Sequence, residues 1–192
     1  QALRALRDSP APRDLIDGGK PSGSAPGTGC ADTVSVDCLL AEARRAAAGV
    51  DQANFKDWAL REIILTEVRT RRDDAVRDRL RRLSDPRLVL VAMREVAEAL
   101  AESGRTSEAL DLAGTVPDAE NRIRAVASIA VSAARQGDAT LSRSLAQRVV
   151  VQLGEQNGMA ARVAIATTLA SGLAQAGDME GATDVIRAAR AI

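Results

Sequence analysis

The sequence predicts an all-α protein, an α-solenoid of stacked antiparallel helix pairs behind an extended N-terminal tail. Three observations carry that expectation. Phe55 and Trp58 are the only aromatic residues among 192, while apolar residues make up 46% of the chain, so the core must be filled by Leu, Val, Ile and Ala. Alanine lets helices approach closely, whereas strands draw on aromatic and β-branched side chains. No segment alternates with period two. A short stretch also recurs: ALREII (Ala59–Ile64) returns as AMREVA (Ala92–Ala97) and AVASIA (Ala125–Ala130), each step 33 residues, and as IATTLA (Ile165–Ala170) after 40. Such a period is that of a helical repeat array.

Taken in order, residues 1–34 are expected to be an extended, irregular segment and 35–192 a helical-repeat domain of about four pairs. ALRALR (Ala2–Arg7) has the makings of a helical turn, and Ser9–Asp32 is rich in Pro, Gly, Ser and Asp without apolar periodicity. Alone, that stretch buries too little surface to offset its ordering entropy. A first helix is expected from Val36 to a cap at Gly49. A second spans Asn54–Arg72, with Phe55, Trp58, Leu60, Ile63, Ile64 and Val68 in one stripe and Phe55 assigned to the core. A third covers Asp73–Ser84. Asp85 and Pro86 read as N-cap and first-turn proline of a helix ending before Gly104. Thr106 or Ser107 is expected to cap a short helix stopping by Gly114, and Asp118 the next, to Gln136. Asp138 begins the helix to Leu153, Asn157 the one to Ala176, and Asp178 the last, to about Ala191.

Glycine punctuates this pattern seven residues beyond each of the later motif copies, at Gly104, Gly137 and Gly177. It supplies the positive φ that ends one helix, and a polar residue just after it starts the next. Arg71 stands at the first such position, so that turn is expected to be built differently.

Over Ala53–Ala191 the pattern resembles the tetratricopeptide-repeat family in degenerate form. The matching residues are small ones where helices cross (Ala97, Ala130, Ala170), the glycine between helices, and the alanine of the second helix (Ala109, Ala182), replaced by Ser142 in the third copy. Leu100, Ala133 and Leu173 stand where a tyrosine is usual, and Pro86 and Pro117 sit at two repeat junctions. The resemblance implies a right-handed stack that presents the first helix of each pair on a concave face. Carried over position by position, that face comprises Trp58, Arg61, Leu65, Arg94, Glu98, Arg124, Val131, Thr167 and Ser171.

Little in the sequence points to chemistry. Histidine, the commonest general base and metal ligand, is absent, and two cysteines do not make a zinc site. Gly-rich SGSAPGTG (Ser22–Gly29) lacks the lysine and hydroxyl of a phosphate loop. DQANFKD (Asp51–Asp57) lacks the spacing of a calcium loop. Paired carboxylates such as Asp73-Asp74 suit helix starts better than glycoside hydrolysis, which also wants aromatic platforms. No catalytic, cofactor-binding or metal-binding residue is assigned, no cofactor is expected, and the chain is read as a non-enzyme.

The expected partners are therefore proteins, through a scaffold or accessory-subunit role in a larger assembly, with a peptide- or polymer-binding adaptor as the alternative. Net charge is zero, giving no general attraction to nucleic acid or anionic membrane. The arginine-rich run Arg69–Arg82 is the one candidate for nucleic acid, but its interleaved aspartates favour a solvated face with local ion pairs. Apolar runs such as LVLVAM (Leu88–Met93) are too short to span a bilayer. Cys30 and Cys38 are the only cysteines. They are read either as a disulfide closing a small loop, worth about 2–3 kcal/mol, or as two free thiols. The even count, beside Gln1 in place of an initiator methionine, points to a processed, exported protein in a bacterial periplasm, with the cytoplasm as the alternative.

Overall fold

The computed structural model describes Cys30 and residues 34–73, 75–155 and 158–191. The expected turn at Ala2–Arg7, the tail apart from Cys30 and Val34, and the expected cap at Asn157 lie outside the described residues. Within them the protein is all-helical, with nine helices and no strand. These are α1 (Val36–Ala48), α2 (Ala53–Arg69), α3 (Val76–Leu80), α4 (Pro86–Glu102), α5 (Thr106–Gly114), α6 (Ala119–Arg135), α7 (Ala139–Gly154), α8 (Met159–Gln175) and α9 (Met179–Ala189).

Most helix starts arise from a polar residue directly before an apolar run. Ser35 Oγ accepts from the Cys38 N–H, Asp85 Oδ1 from that of Arg87, Asp118 Oδ2 from that of Asn121, Asp138 Oδ1 from that of Leu141 and Asp178 Oδ1 from that of Gly181. Helix α5 departs from expectation: its N-cap is Arg105, with no side-chain cap, rather than Thr106 or Ser107. The guanidinium of Arg105 is turned to Glu108 and Asp73 instead, and the Glu108 hydrogen bond outweighs burial to raise its pKa further.

Helix ends repeat one construction. Gly104, Gly137 and Gly177 have φ of 79°, 83° and 90°. Arg105, Asp138 and Asp178 donate their N–H back along the helix end to Leu100, Ala133 and Leu173, while the glycines donate to Ala101, Ala134 and Ala174. This is the paired bonding of a Schellman turn. Arg71 corrects the expectation of a different first turn. It takes φ 57° itself, with Arg72 N–H on Glu67 O and Arg71 N–H on Val68 O.

The third helix is far shorter than the expected Asp73–Ser84. After Leu80 the chain tightens, with Arg82 N–H on Arg79 O and Leu83 N–H on Leu80 O. Asp57 on α2 then captures Ser84 and Asp85. Its buried carboxylate accepts from Ser84 N–H at 2.9 Å, Ser84 Oγ at 2.7 Å and Asp85 N–H at 2.9 Å. Those donors are lost to any continuing helix, and Pro86 forbids one. Burial would raise the Asp57 pKa, but the Ser84 hydroxyl, the two N–H donors and the Lys56 charge together hold it below its ordinary 3.8.

The first helices lie side by side, α2 on α4, α4 on α6 and α6 on α8. Helices α3, α5, α7 and α9 each pack on the first helix before them. The first three also pack on the one after, α9 also meets α7, and α1 packs on α2 alone. Among the described residues no helix touches one more than two elements away. One continuous core runs from Ile64 to Val185, beside a small cluster of Leu40, Ala47 and Ile63. Ser142, standing where Ala109 and Ala182 stand, is fully buried with no hydroxyl partner among the described residues. Glu67 is fully buried too, but Arg44 holds it from α1 at 2.6 Å and Arg79 from α3. Phe55 is 46% exposed and Trp58 59%, so Phe55 does not join the core.

Two expectations test this construction. Gly137→Val should cost more than about 1 kcal/mol, because a β-branched residue resists positive φ. Gly114→Ala, in a helix end with negative φ and open space at Cβ, should instead gain about 0.4–1 kcal/mol; urea unfolding of both variants checks the pair. Acid titration checks Asp57. Its folded pKa lies below the unfolded one, so its stabilisation is present above about pH 4 and is lost as pH falls through the lowered value. Asp57→Asn should flatten stability against pH in that range, and Asp57→Ala should cost about 2–4 kcal/mol at neutral pH.

Candidate binding cleft

A cleft of about 450 Å³ opens across the exposed faces of α4, α6 and α8. Its walls come from equivalent positions of successive first helices, because a 33- or 40-residue step returns the chain to the same face of the next one. Arg94 and Glu98 on α4, Arg124 and Val131 on α6, and Thr167 and Ser171 on α8 all line it. Trp58 and Arg61 stand apart on α2, outside this cleft.

Leu65 is a correction. It is 4% exposed and belongs to the main core, not to an outward face. Glu98 and Ser171 at the equivalent positions keep a polar end at the cleft, whereas a leucine gains by burying its whole side chain.

Several charges that the sequence offers for binding are already engaged. Arg61 Nε donates to Glu95 Oε2 across the α2–α4 joint at 2.5 Å, and its Nη1 donates to Glu62. The Glu95 bond raises the Arg61 pKa above its usual value against the opposing effect of burial. Arg94 donates to Glu98 at 2.8 Å, Ser128 Oγ donates to the same carboxylate from α6 at 2.9 Å, and Arg124 donates to Glu120. Arg61–Glu95 and Ser128–Glu98 fasten helix to helix, whereas Arg94–Glu98 lies within α4 and Arg124–Glu120 within α6.

Free polar valence lies further along, in residues that the sequence pattern alone does not single out. Glu102, Arg135 and Gln175 occupy the last turns of α4, α6 and α8, all line the cleft, and all are exposed. Among the described residues none has a side-chain partner at the cleft; Arg69, one period earlier on α2, is likewise unpaired. Their spacing of 33, 33 and 40 is the signal that marks them. The floor between them is apolar and small: Ala127, Val131 and the backbone of Gly172. A Cβ built on Gly172 would stand 2.6 Å from Val131 Cγ2, so α6 and α8 approach at the limit that glycine allows.

Elsewhere, Arg71 donates to the Ser103 carbonyl, Arg72 to Asp37, Arg79 to Glu67 and Arg81 to Asp78, which uses four members of the arginine run in local contacts. Cys30 and Cys38 lie at disulfide distance, their Cα atoms 5.8 Å apart, and the Cys30 N–H donates to Glu42 Oε1 at 3.1 Å. Among the described residues no helix is long and apolar enough to cross a membrane.

No protein-family model, no curated protein and no solved structure matches the chain.

The close approach at Gly172 has a measurable consequence. Gly172→Ala should cost about 1–3 kcal/mol by overpacking against a stiff β-branched neighbour. Val131→Ala should relieve part of that cost when the two are combined. A double-mutant cycle in denaturant reads the coupling, and strict additivity would mean that the two helices do not meet there.

Proposed function

We propose that the helix pairs stack as an α-solenoid of the tetratricopeptide-like kind, and that the protein is a non-catalytic interaction scaffold or accessory subunit of a larger, exported assembly. In this reading the cleft receives an extended segment of a partner protein. The observation that carries it is the rim of unpaired groups, Arg69, Glu102, Arg135 and Gln175, one from each successive first helix. Paired helices in a stack lie roughly 8–10 Å apart. An extended chain rises about 3.3 Å per residue, so every third residue meets the next helix. The rim therefore suits a segment whose charges alternate at every third position, acidic opposite Arg69, basic opposite Glu102, acidic opposite Arg135. Rim charges set register and partner choice, while the small apolar floor excludes water beneath them. The bonding distance between Cys30 and Cys38 supports an oxidising, periplasmic setting; the cytoplasm is the alternative compartment.

Reversal of Arg61 would break its pair with Glu95 across the α2–α4 joint, and reversal of Arg94 its pair with Glu98 within α4, so the informative variant is Glu102→Arg with Arg135→Glu. Both residues are exposed and unpaired, and their exchange should move the unfolding midpoint little, within about 0.5 kcal/mol. Affinity isolation from the source, followed by titration of the isolated partner segment, should show binding weakened at least about tenfold. A partner that binds wild type and variant equally would remove this reading.

A further inference from the structure

Ten large hydrophobic side chains are exposed among the described residues, and they are not spread evenly. Five belong to α1, α2 and the chain just before them, four to α8 and α9, and only Val151 lies between. The middle of the stack is sealed and its two ends are open. At the C-terminal end the 40-residue step shows what is left uncovered. Ile123, Ala127 and Val131 on α6 are all buried, with Val131 against Gly172 of the next first helix. Their counterparts on α8 are Val163, Thr167 and Ser171, and all three are exposed, Val163 by 60%. The second helices agree. Leu80, Ala113 and Ala146 are buried, whereas Ile186, at the same position of α9, is 46% exposed.

Helix α8 has the composition of a helix covered on both sides. Its 17 residues include one charge, Arg162, and the exposed row Ala160, Val163, Thr167 and Ser171 has none. Together α8 and α9 offer a face of roughly 25 Å by 20 Å, so two copies joined there bury on the order of 1,000 Å², about where specific interfaces begin. A head-to-tail continuation of the stack is blocked. Ala47 keeps the 33-residue step with Leu80, so α1 holds the place of a second helix ahead of α2. Setting α2 of a further copy on α8 would therefore drive its α1 into α9.

We propose that this face joins two copies of the chain about a two-fold axis that passes Thr167. With the two α8 helices antiparallel, Val163 falls opposite Ser171 of the second copy and Ala160 opposite Ala174. Large then meets small, as Val131 meets Gly172 inside the chain. Helix α9 runs back along α8 from the turn at Gly177, and at equal rise it reaches the level of Thr167 at about residue 186 or 187. Ile186 therefore meets its own counterpart beside the axis, as an isologous interface requires of a residue there. The uncharged row on α8 sets no charge against its own copy, so nothing along it repels. Val163, Met179 and Ile186 do not line the cleft, so the dimer is tested without disturbing it.

Sedimentation equilibrium of the full chain should show the mass rising from 20.1 kDa toward twice that value, and no further. The midpoint should fall at a concentration on the order of 10 μM, as suits an interface of modest area. Ile186→Asp and Ile186→Lys should each stay monomeric over the same range, with far-ultraviolet circular dichroism retained because Ile186 is exposed in the single chain. Mixing the two variants should restore the dimer, since residue 186 then meets the opposite charge. Val163→Asp, on the other helix of the face, should weaken dimerisation at least about tenfold. A wild-type chain that is monomeric throughout, or a dimer indifferent to Ile186→Asp, would overturn the proposal. So would a mass that climbs past the dimer, or a mixture of the two variants that fails to associate.

Discussion

The reversal of the chain through a left-handed residue is the constraint on which the rest of this structure depends. At positions 71, 104, 137 and 177 the same pair of backbone bonds closes a first helix and fixes the direction in which the second departs. Because the turn is the same each time, the first helices fall side by side and their equivalent residues fall in line. Arginine at position 71 bears a strain of about 1–2 kcal/mol that glycine would not. Part of its compensation is visible: its guanidinium donates to the Ser103 carbonyl at 3.0 Å, which fastens the first turn to the second. Gln136 does likewise, donating to the Ala101 carbonyl at 2.7 Å. Side-chain bonds to neighbouring backbone thus link the first three of these turns to one another.

Where the repeat is weakest, polar anchors take over from apolar packing. Helix α3 is only five residues long and offers little apolar surface. Around it, Glu67 gathers Arg44 and Arg79 from two other helices, and Asp57 gathers the N–H groups that lead into α4. Such groups are costly to bury and costlier to leave alone. They make the first pair specific in geometry at the expense of tolerance: removal of one partner strands a charge in the interior. The later pairs, with longer second helices and alanine at each crossing, need no equivalent.

Signals in the sequence are legible wherever the physics is local. Asp85, Asp118, Asp138 and Asp178 cap their helices because an acceptor one residue before an apolar run meets only its own first turn. Gly104, Gly137 and Gly177 announce left-handed turns by lacking a Cβ. What escapes a sequence pattern is nonlocal. The early end of α3 is set by Asp57, 27 residues away from Ser84 in sequence. Phe55 falls on an apolar stripe, and a stripe says which face is apolar but not whether another helix covers it. Leu65 fails in the opposite direction, since periodicity places a position at the edge of a face and the side chain decides which way it turns. The cleft is legible in outline through Arg94, Glu98, Arg124, Val131, Thr167 and Ser171. Which of its charges are already engaged is not, because Arg61 finds Glu95 and Ser128 finds Glu98 only after the helices have stacked.

That distinction between engaged and free charge bears on what the cleft can do. Exposed ion pairs contribute little, a median of about 0–1 kcal/mol, and are screened by salt. A partner held through Glu102 and Arg135 alone would bind weakly. Ala127 and Val131 are already buried and Gly172 is half-buried, so the floor leaves a partner only a small apolar area to cover. A surface of this kind discriminates more than it grips. It suits a subunit that joins an assembly through several modest contacts, where each added contact acts at the high effective concentration set by the others.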